Sequence, residues 1–344
     1  MPSRAMMLVA SFLLLLPASG CRMDAGNSAN AEAAINQYVQ ARLHIDAGDL
    51  DAALAELAAA VKADPTLSIA HATAGDIYRQ KGDWQGARVS YEEACRTNPY
   101  AFKPHYHLGL TYQTLADVAE AVDQIQEYLR EAVHVYLRAH SLDPKDFDAA
   151  LNLSACYFRL AKFDLAEKYC RTAIEIRPDD PHAYCNLGII YDCQDKPYDA
   201  INAYKASLEL DVHQPKLLVN LGSTYMRQGR LKLALEAFKL AAEEDPQDAA
   251  PWEQLGACYY RQEEYAKATE AYVNAITRNE TGAKAHRGLG VVYMTQYVLG
   301  NRQDASLRDK GLAAWHVSLE IEPTQADLEE LVRKYTPAYT GPTL

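Results

Sequence analysis

The chain has 344 residues, of which 49% are apolar and 23% charged, the balance of a soluble folded protein rather than a wholly disordered or polytopic membrane chain. Its length allows two or three globular domains or one extended array, and its 17 Gly and 15 Pro are too few for a fibrous or linker-like chain. The formal charge of −12 argues against nucleic-acid or anionic-membrane binding, because neutralising phosphate requires clustered Lys and Arg.

Residues 1–20 read as an export signal. Arg4 supplies the positive end, Ala5 to Leu16 form an apolar run, and Pro17-Ala18-Ser19-Gly20 are breaker and small residues. Such a run covers about 18 Å as a helix, short of the ~30 Å hydrocarbon core of a bilayer. Cys21 after Ser19-Gly20 resembles the lipobox of bacterial lipoproteins, although Ala18 stands where that motif usually carries Leu. The resemblance implies an acylated Cys21 and a membrane anchor that does not span the bilayer. Ordinary secretory cleavage is the alternative. Residues 21–33 then form a polar tether. By the same resemblance, Arg22 in place of Asp favours the periplasm-facing side of an outer membrane.

From Ala34 onward the sequence repeats. Pro65, Pro99, Pro144, Pro178, Pro246 and Pro323 are spaced by 34, 45, 34, 68 and 77 residues, multiples of 34 with additions of 11 and 9. The segments HATAGDIY (71–78), HYHLGLTY (105–112), ALNLSACY (150–157), YCNLGIIY (184–191), LVNLGSTY (218–225), WEQLGACY (252–259) and HRGLGVVY (286–293) share one pattern. Such segments precede second helical stretches with a small residue, an aromatic and a small residue, as in Ala87, Tyr91 and Ala94 or Ala234, Phe238 and Ala241. This pattern resembles the tetratricopeptide repeat family. The resemblance implies an all-α fold, a right-handed superhelical solenoid of seven to eight helix-turn-helix repeats. The units are 34–67, 68–101, 102–146 with an 11-residue insertion, 147–180, 181–214, 215–248, 249–282 and 283–323 with a 9-residue insertion, followed by a cap and tail over 324–344.

The residue types carry the same message physically. Gly75, Gly109, Gly188, Gly222 and Gly256 are expected opposite Ala87, Ala200, Ala234 and Ala268, so that paired helices approach closely. Tyr78, Tyr112, Tyr157, Tyr191, Tyr225, Tyr259 and Tyr293 should fill the wedges between pairs. Asp-Pro at 64–65, 143–144 and 245–246 ends second helices, since the residue before Pro is pushed out of the α region. Gly48, Gly82 and Gly229 suit left-handed turn positions. The first insertion preserves helical phase and predicts one elongated, projecting helix over 118–141. The second, around Gly300–Asp304, predicts a longer loop with an extra helix. Gln325 to Tyr335, with Leu328, Leu331 and Val332 on one face, predicts a terminal cap helix.

Candidate sites are few. Beyond Cys21, six cysteines mostly fall in core register as small apolar residues, and a disulfide among them stays open in an exported chain. The ten His residues show no ligand spacing, with His105 and His107 two apart and facing different sides of a helix, so neither metal nor cofactor is expected. No phosphate loop or nucleophile elbow is present, and once the repeats are subtracted no room remains for a catalytic domain. The chain is therefore read as non-enzymatic. Asn152, Asn186 and Asn220 recur at 34-residue intervals on first helices, and Gln254 continues the series. In the family that position looks into the concave groove, where amides can bond the backbone of an extended peptide. Arg159, Arg227 and Arg261 form a second row able to receive carboxylates. The alternative is that Asn is merely common there and Arg merely caps the helix. The Lys pattern of a carboxylate clamp is absent, its first position holding Tyr38, Ala72, Tyr106, Leu151, Cys185 and Val219. The expectation is a lipid-anchored scaffold that binds a protein or peptide, with neither nucleic acid nor a small-molecule substrate as ligand. By similarity its setting is an envelope assembly, secretion, pilus or polysaccharide complex. The alternative is a structural component docking through its convex face or the 118–141 helix.

Overall fold

The computed structural model describes residues 25–336, and residues 1–24 and 337–344, which hold the signal, Cys21 and the end of the tail, lie outside them. The described residues form helices and turns only. Two compact units divide the chain, with Asp143 ending one and Pro144 opening the other. In the first unit, α1 (Ala25–Asp46) pairs with α2 (Leu50–Ala63), α3 (Ser68–Gln80) with α4 (Trp84–Thr97), and α5 (Phe102–Val118) with α6 (Val122–Leu142). The second unit pairs α7 (Phe147–Arg159) with α8 (Phe163–Ile176), α9 (Pro181–Cys193) with α10 (Pro197–Leu210), and α11 (Pro215–Arg227) with α12 (Leu231–Glu244). It continues with α13 (Ala250–Arg261) against α14 (Tyr265–Arg278) and α15 (Ala283–Leu299) against α16 (Ala305–Ile321), and ends in α17 (Ala326–Tyr335). Within each unit the hairpins stack on their sequence neighbours, the all-α repeat architecture the periodicity predicts.

The glycines do set the approach of paired helices, but their counterparts are aromatic rings rather than the expected alanines. A Cβ built on Gly75 would lie 2.7 Å from the ring of Tyr91, and one on Gly222 would lie 2.6 Å from that of Phe238. Gly109, Gly188 and Gly256 face Tyr136, Tyr204 and Tyr272 in the same way. Each ring therefore lies flat on a bare backbone and is buried there. One hairpin keeps the volume balance with other residues: where α7 carries Ser154 in place of Gly, α8 carries Cys170 in place of the ring. The buried Ser154 hydroxyl donates to the Ala166 carbonyl at 2.8 Å, and the Cys170 thiol donates to the Ala183 carbonyl at 3.2 Å.

The short turns within hairpins use one left-handed residue, and the longer α15/α16 turn uses two, Asn301 and Arg302. Gly48, Gly82 and Gly229 have φ of 80°, 76° and 69°, and Ala161, Asp195 and Glu263 occupy the same place at 55°, 56° and 61°. The last three adopt a conformation that costs a non-glycine residue about 1 kcal/mol. Helix starts are capped where the sequence offers Asp: Asp49 accepts from the Ala52 N–H at 3.0 Å and Asp83 from that of Gly86 at 2.9 Å.

Both insertions lengthen existing helices. No single helix covers 118–141, because α5 closes at Val118 and α6 opens at Val122 after a turn at 119–121. The 11 added residues divide between the two, α5 having 17 residues against 13 in α7, and α6 having 21 against 14 in α8. Four and seven residues are close to one and two whole turns, so both apolar stripes keep their phase. In the last hairpin α15 and α16 each have 17 residues around a turn at 300–304, so the extra helix expected there is instead an extension of its neighbours. The polar tether also differs from expectation, since α1 begins at Ala25, in keeping with the helix propensity of Ala29, Ala31, Ala33 and Ala34. At the other end α17 caps the second unit, burying Leu328 and Val332 against Met294, Leu312 and Trp315. No described helix is long and apolar enough to cross a membrane.

Candidate functional site

In the second unit the first helices pack not only on their own partners but on one another, α7 on α9, α9 on α11, α11 on α13 and α13 on α15. This lines one side of the unit with first helices, and that side carries the amide series. Asn152 on α7, Asn186 on α9, Asn220 on α11 and Gln254 on α13 are all half-buried, one per helix at the same phase. Among the described residues no hydrogen bond engages the side-chain amides of Asn186, Asn220 or Gln254. Each of these three amides therefore keeps both a donor and an acceptor for solvent or a ligand.

Between α7 and α9 the face deepens into a recess of about 130 Å³. It is lined by the apolar Ala155, Phe158, Ile189 and Ile190 together with Ser154, Arg159 and Asn186. The two rows predicted from sequence thus meet here. Arg227 and Arg261 of the second row are engaged in packing. The exposed Arg227 guanidinium pairs with the Asp192 carboxylate of the preceding hairpin, and Arg261 donates to the Met226 carbonyl at 3.3 Å, also one hairpin back. Arg227 therefore already holds a carboxylate of its own chain.

Asp192 went unnoticed in the sequence reading. It accepts from the Tyr204 hydroxyl at 2.9 Å and the Thr224 hydroxyl at 2.7 Å besides Arg227, tying α9 to α10 and to α11. The signal was available, because Asp192 is the acid in a register otherwise filled by Phe158, Met226 and Tyr260. Burial beside Asp192 raises the Tyr204 hydroxyl well above the ordinary tyrosine range.

The wedge tyrosines do more than fill space. Tyr112 donates to Glu92 of the preceding hairpin at 2.6 Å, and Glu92 also accepts from Arg88 at 2.7 Å. In the second unit Tyr191 donates to Glu167 at 3.1 Å, while Arg171 binds both Glu167 and the tyrosine oxygen. The ion pair runs in the opposite order along the helix, yet each joins the next hairpin's hydroxyl to the stack. Burial acts to raise the Glu167 carboxyl, but hydrogen bonds from Arg171, Lys196, Gln194 and Tyr191 outweigh it and hold that carboxyl below the usual range. Asp76 is likewise lowered against the effect of burial, by His107 and Tyr91.

Cys95, Cys170, Cys185, Cys193 and Cys258 are free thiols. Burial pushes Cys95 and Cys170 up to about 12, so both stay protonated at neutral pH. Among the described residues no three His, Cys, Asp or Glu side chains converge as a metal site. His105 instead bonds the Ala101 carbonyl, and His107 the Asp76 carboxylate.

Known proteins share this architecture. Residues 75–115 match a family profile described as "TPR repeat", and residues 146–211 and 186–249 match two described as "Tetratricopeptide repeat". Tetratricopeptide repeat protein 7B of mouse and of human is 28% identical over 116 residues, 34% of this chain. The match spans only 14% of the length of those relatives. Among solved structures, a tetratricopeptide repeat protein from Parabacteroides merdae superposes with a TM-score of 0.57 at 18% identity, over 78% of this chain and 99% of that one. The hetero-tetramer of Cut9 and Hcn1 from APC/C gives 0.54 at 17% identity, over 84% of this chain and 53% of the matched chain. These structural likenesses bear on fold.

Proposed function

Because the chain is a tetratricopeptide repeat protein, we propose that it is a non-enzymatic scaffold whose first-helix face holds an extended segment of a partner protein. Tetratricopeptide repeats generally serve protein interaction rather than catalysis, and this is the coarse function of the fold. The observation that carries the finer reading is the series of half-buried amides at one phase on α7, α9, α11 and α13. Packed helices lie about 8–10 Å apart, and an extended chain advances about 3.3 Å per residue. Successive rungs therefore meet every third residue of a bound strand. The amides of Asn186, Asn220 and Gln254 can each give a donor to one backbone carbonyl and an acceptor to one N–H. The recess beside Asn186 takes one apolar side chain, which sets the register.

The proposal extends to setting. Cys21 is acylated after export, the protein is anchored on the periplasmic side of a bacterial envelope membrane, with the outer membrane favoured, and it works within an assembly, secretion, pilus or polysaccharide complex. A photo-reactive amino acid at Ala155 or Ser223, on the amide-bearing face, tests the groove. A crosslinked partner that disappears in the Asn152→Ala/Asn186→Ala/Asn220→Ala variant supports the reading, and crosslinking unchanged in that variant refutes it. Membrane fractionation of a Cys21→Ser variant tests the anchor separately, and retention on membranes in the absence of partners refutes acylation.

A further inference from the structure

The 11-residue insertion gives the α5/α6 hairpin an end unlike the short turns. Val118, the last residue of α5, is 62% exposed, and Val122, the first of α6, is 67% exposed. The turns of the short hairpins carry exposed polar residues, Lys81, Asp83, Lys162, Lys196, Gln228 and Arg230, and the apolar residues that open their second helices, such as Trp84, Phe163 and Leu231, are half-buried rather than exposed. A turn that merely joins two longer helices is served best by such polar residues, since exposed aliphatics add nothing to the core and promote association. The charged residues that flank the two valines along the chain are of a single sign. Glu120, Asp123 and Glu127 are exposed, and no Lys or Arg occurs between Lys103 and Arg130.

We propose that this helix end is a docking surface for a partner protein's amphipathic segment that carries Lys or Arg beside aliphatic side chains. The valines supply apolar contact, and the carboxylates steer and orient the cations. The same negative field disfavours nucleic acid and anionic lipid, which leaves protein as the occupant. This surface lies in the first unit and shares no residue with the amide-bearing face of the second.

The probe is a fluorescein-labelled amphipathic peptide of leucine and lysine, bound to the intact protein and followed by fluorescence anisotropy at about 50 mM and about 300 mM sodium chloride. Val118→Ser/Val122→Ser is expected to weaken binding about tenfold or more. Glu120→Gln/Asp123→Asn/Glu127→Gln should weaken it about tenfold at low salt and flatten the salt dependence. Neutralising the exposed Glu236, Glu243 and Glu263 should change it less than about twofold. Equal losses in the two carboxylate variants overturn the proposal, because they reveal general charge attraction. Unchanged binding by the valine variant also overturns it, as does capture of phosphatidylglycerol vesicles that depends on the two valines. Both valines are largely exposed, so far-UV circular dichroism and thermal unfolding should match the parent.

Discussion

If ring and glycine form one packing unit, a mismatch in either should be relieved by the matching change in the other, as Ser154 with Cys170 already illustrates. The hairpin α11/α12 offers the cleanest test, because Phe238 has no hydroxyl to confuse the accounting. In Gly222→Ser the new Cβ would sit 2.6 Å from the Phe238 ring, where ordinary contacts are 3.4–4 Å. Overpacking of that kind costs about 1–3 kcal/mol, offset by about 0.5 kcal/mol of improved helix propensity. Phe238→Cys alone leaves a cavity under a fully buried position and should cost about 3–4 kcal/mol. The double variant rebuilds the pair found in α7/α8, with the new hydroxyl placed to reach the Ala234 carbonyl as Ser154 reaches Ala166. It should be more stable than the two single losses imply by about 1 kcal/mol or more. Urea unfolding followed by circular dichroism gives the total. Hydrogen exchange over Pro215–Glu244 localises the effect, since a stack weakens first around the altered repeat. Losses that add to within about 0.3 kcal/mol would refute the coupling.

Other consequences are simpler. Glu263→Gly should stabilise the second unit by about 0.5–1 kcal/mol by relieving a φ of 61°, read as a raised urea midpoint, whereas the same change at a helical position should not. Asp192→Asn should cost about 1–2 kcal/mol by removing the carboxylate shared by Tyr204, Thr224 and Arg227, and the loss should nearly vanish in an Arg227→Ala/Thr224→Val background. Glu167 has its carboxyl lowered from 4.5 in the fold, so its contribution is present above that value and is lost as pH falls through the folded pKa. Urea midpoints between about pH 6 and pH 3 should therefore fall less steeply for Glu167→Gln than for the parent.

Legibility in the sequence followed how local the determinant was. Repeat spacing, the turn glycines and the α17 cap depend on contacts within one hairpin or with its neighbour, and the 34-residue period states them directly. Insertions were harder. Periodicity shows that 11 residues keep helical phase, but Ala119, Glu120 and Ala121 carry no Gly or Pro to mark where the chain reverses, so the split into one extra turn and two was hidden. The left-handed conformations of Ala161, Asp195 and Glu263 were invisible for the same reason, because only comparison with Gly229 one or two periods away exposes them. Within the candidate site, the phase of Asn152, Asn186, Asn220 and Gln254 was readable. The engagement of Arg227 by Asp192 was not, since the two are 35 residues apart and meet only when hairpins stack.

The most direct test of the scaffold reading is the affinity of the crosslinked partner segment, made as a peptide, for the parent and for Asn186→Ala/Asn220→Ala/Gln254→Ala. Three lost rungs at about 0.5–1.5 kcal/mol each predict binding weaker by about 10- to 2,000-fold, with the unfolding midpoint unchanged. Equal affinity in the two proteins would contradict the account.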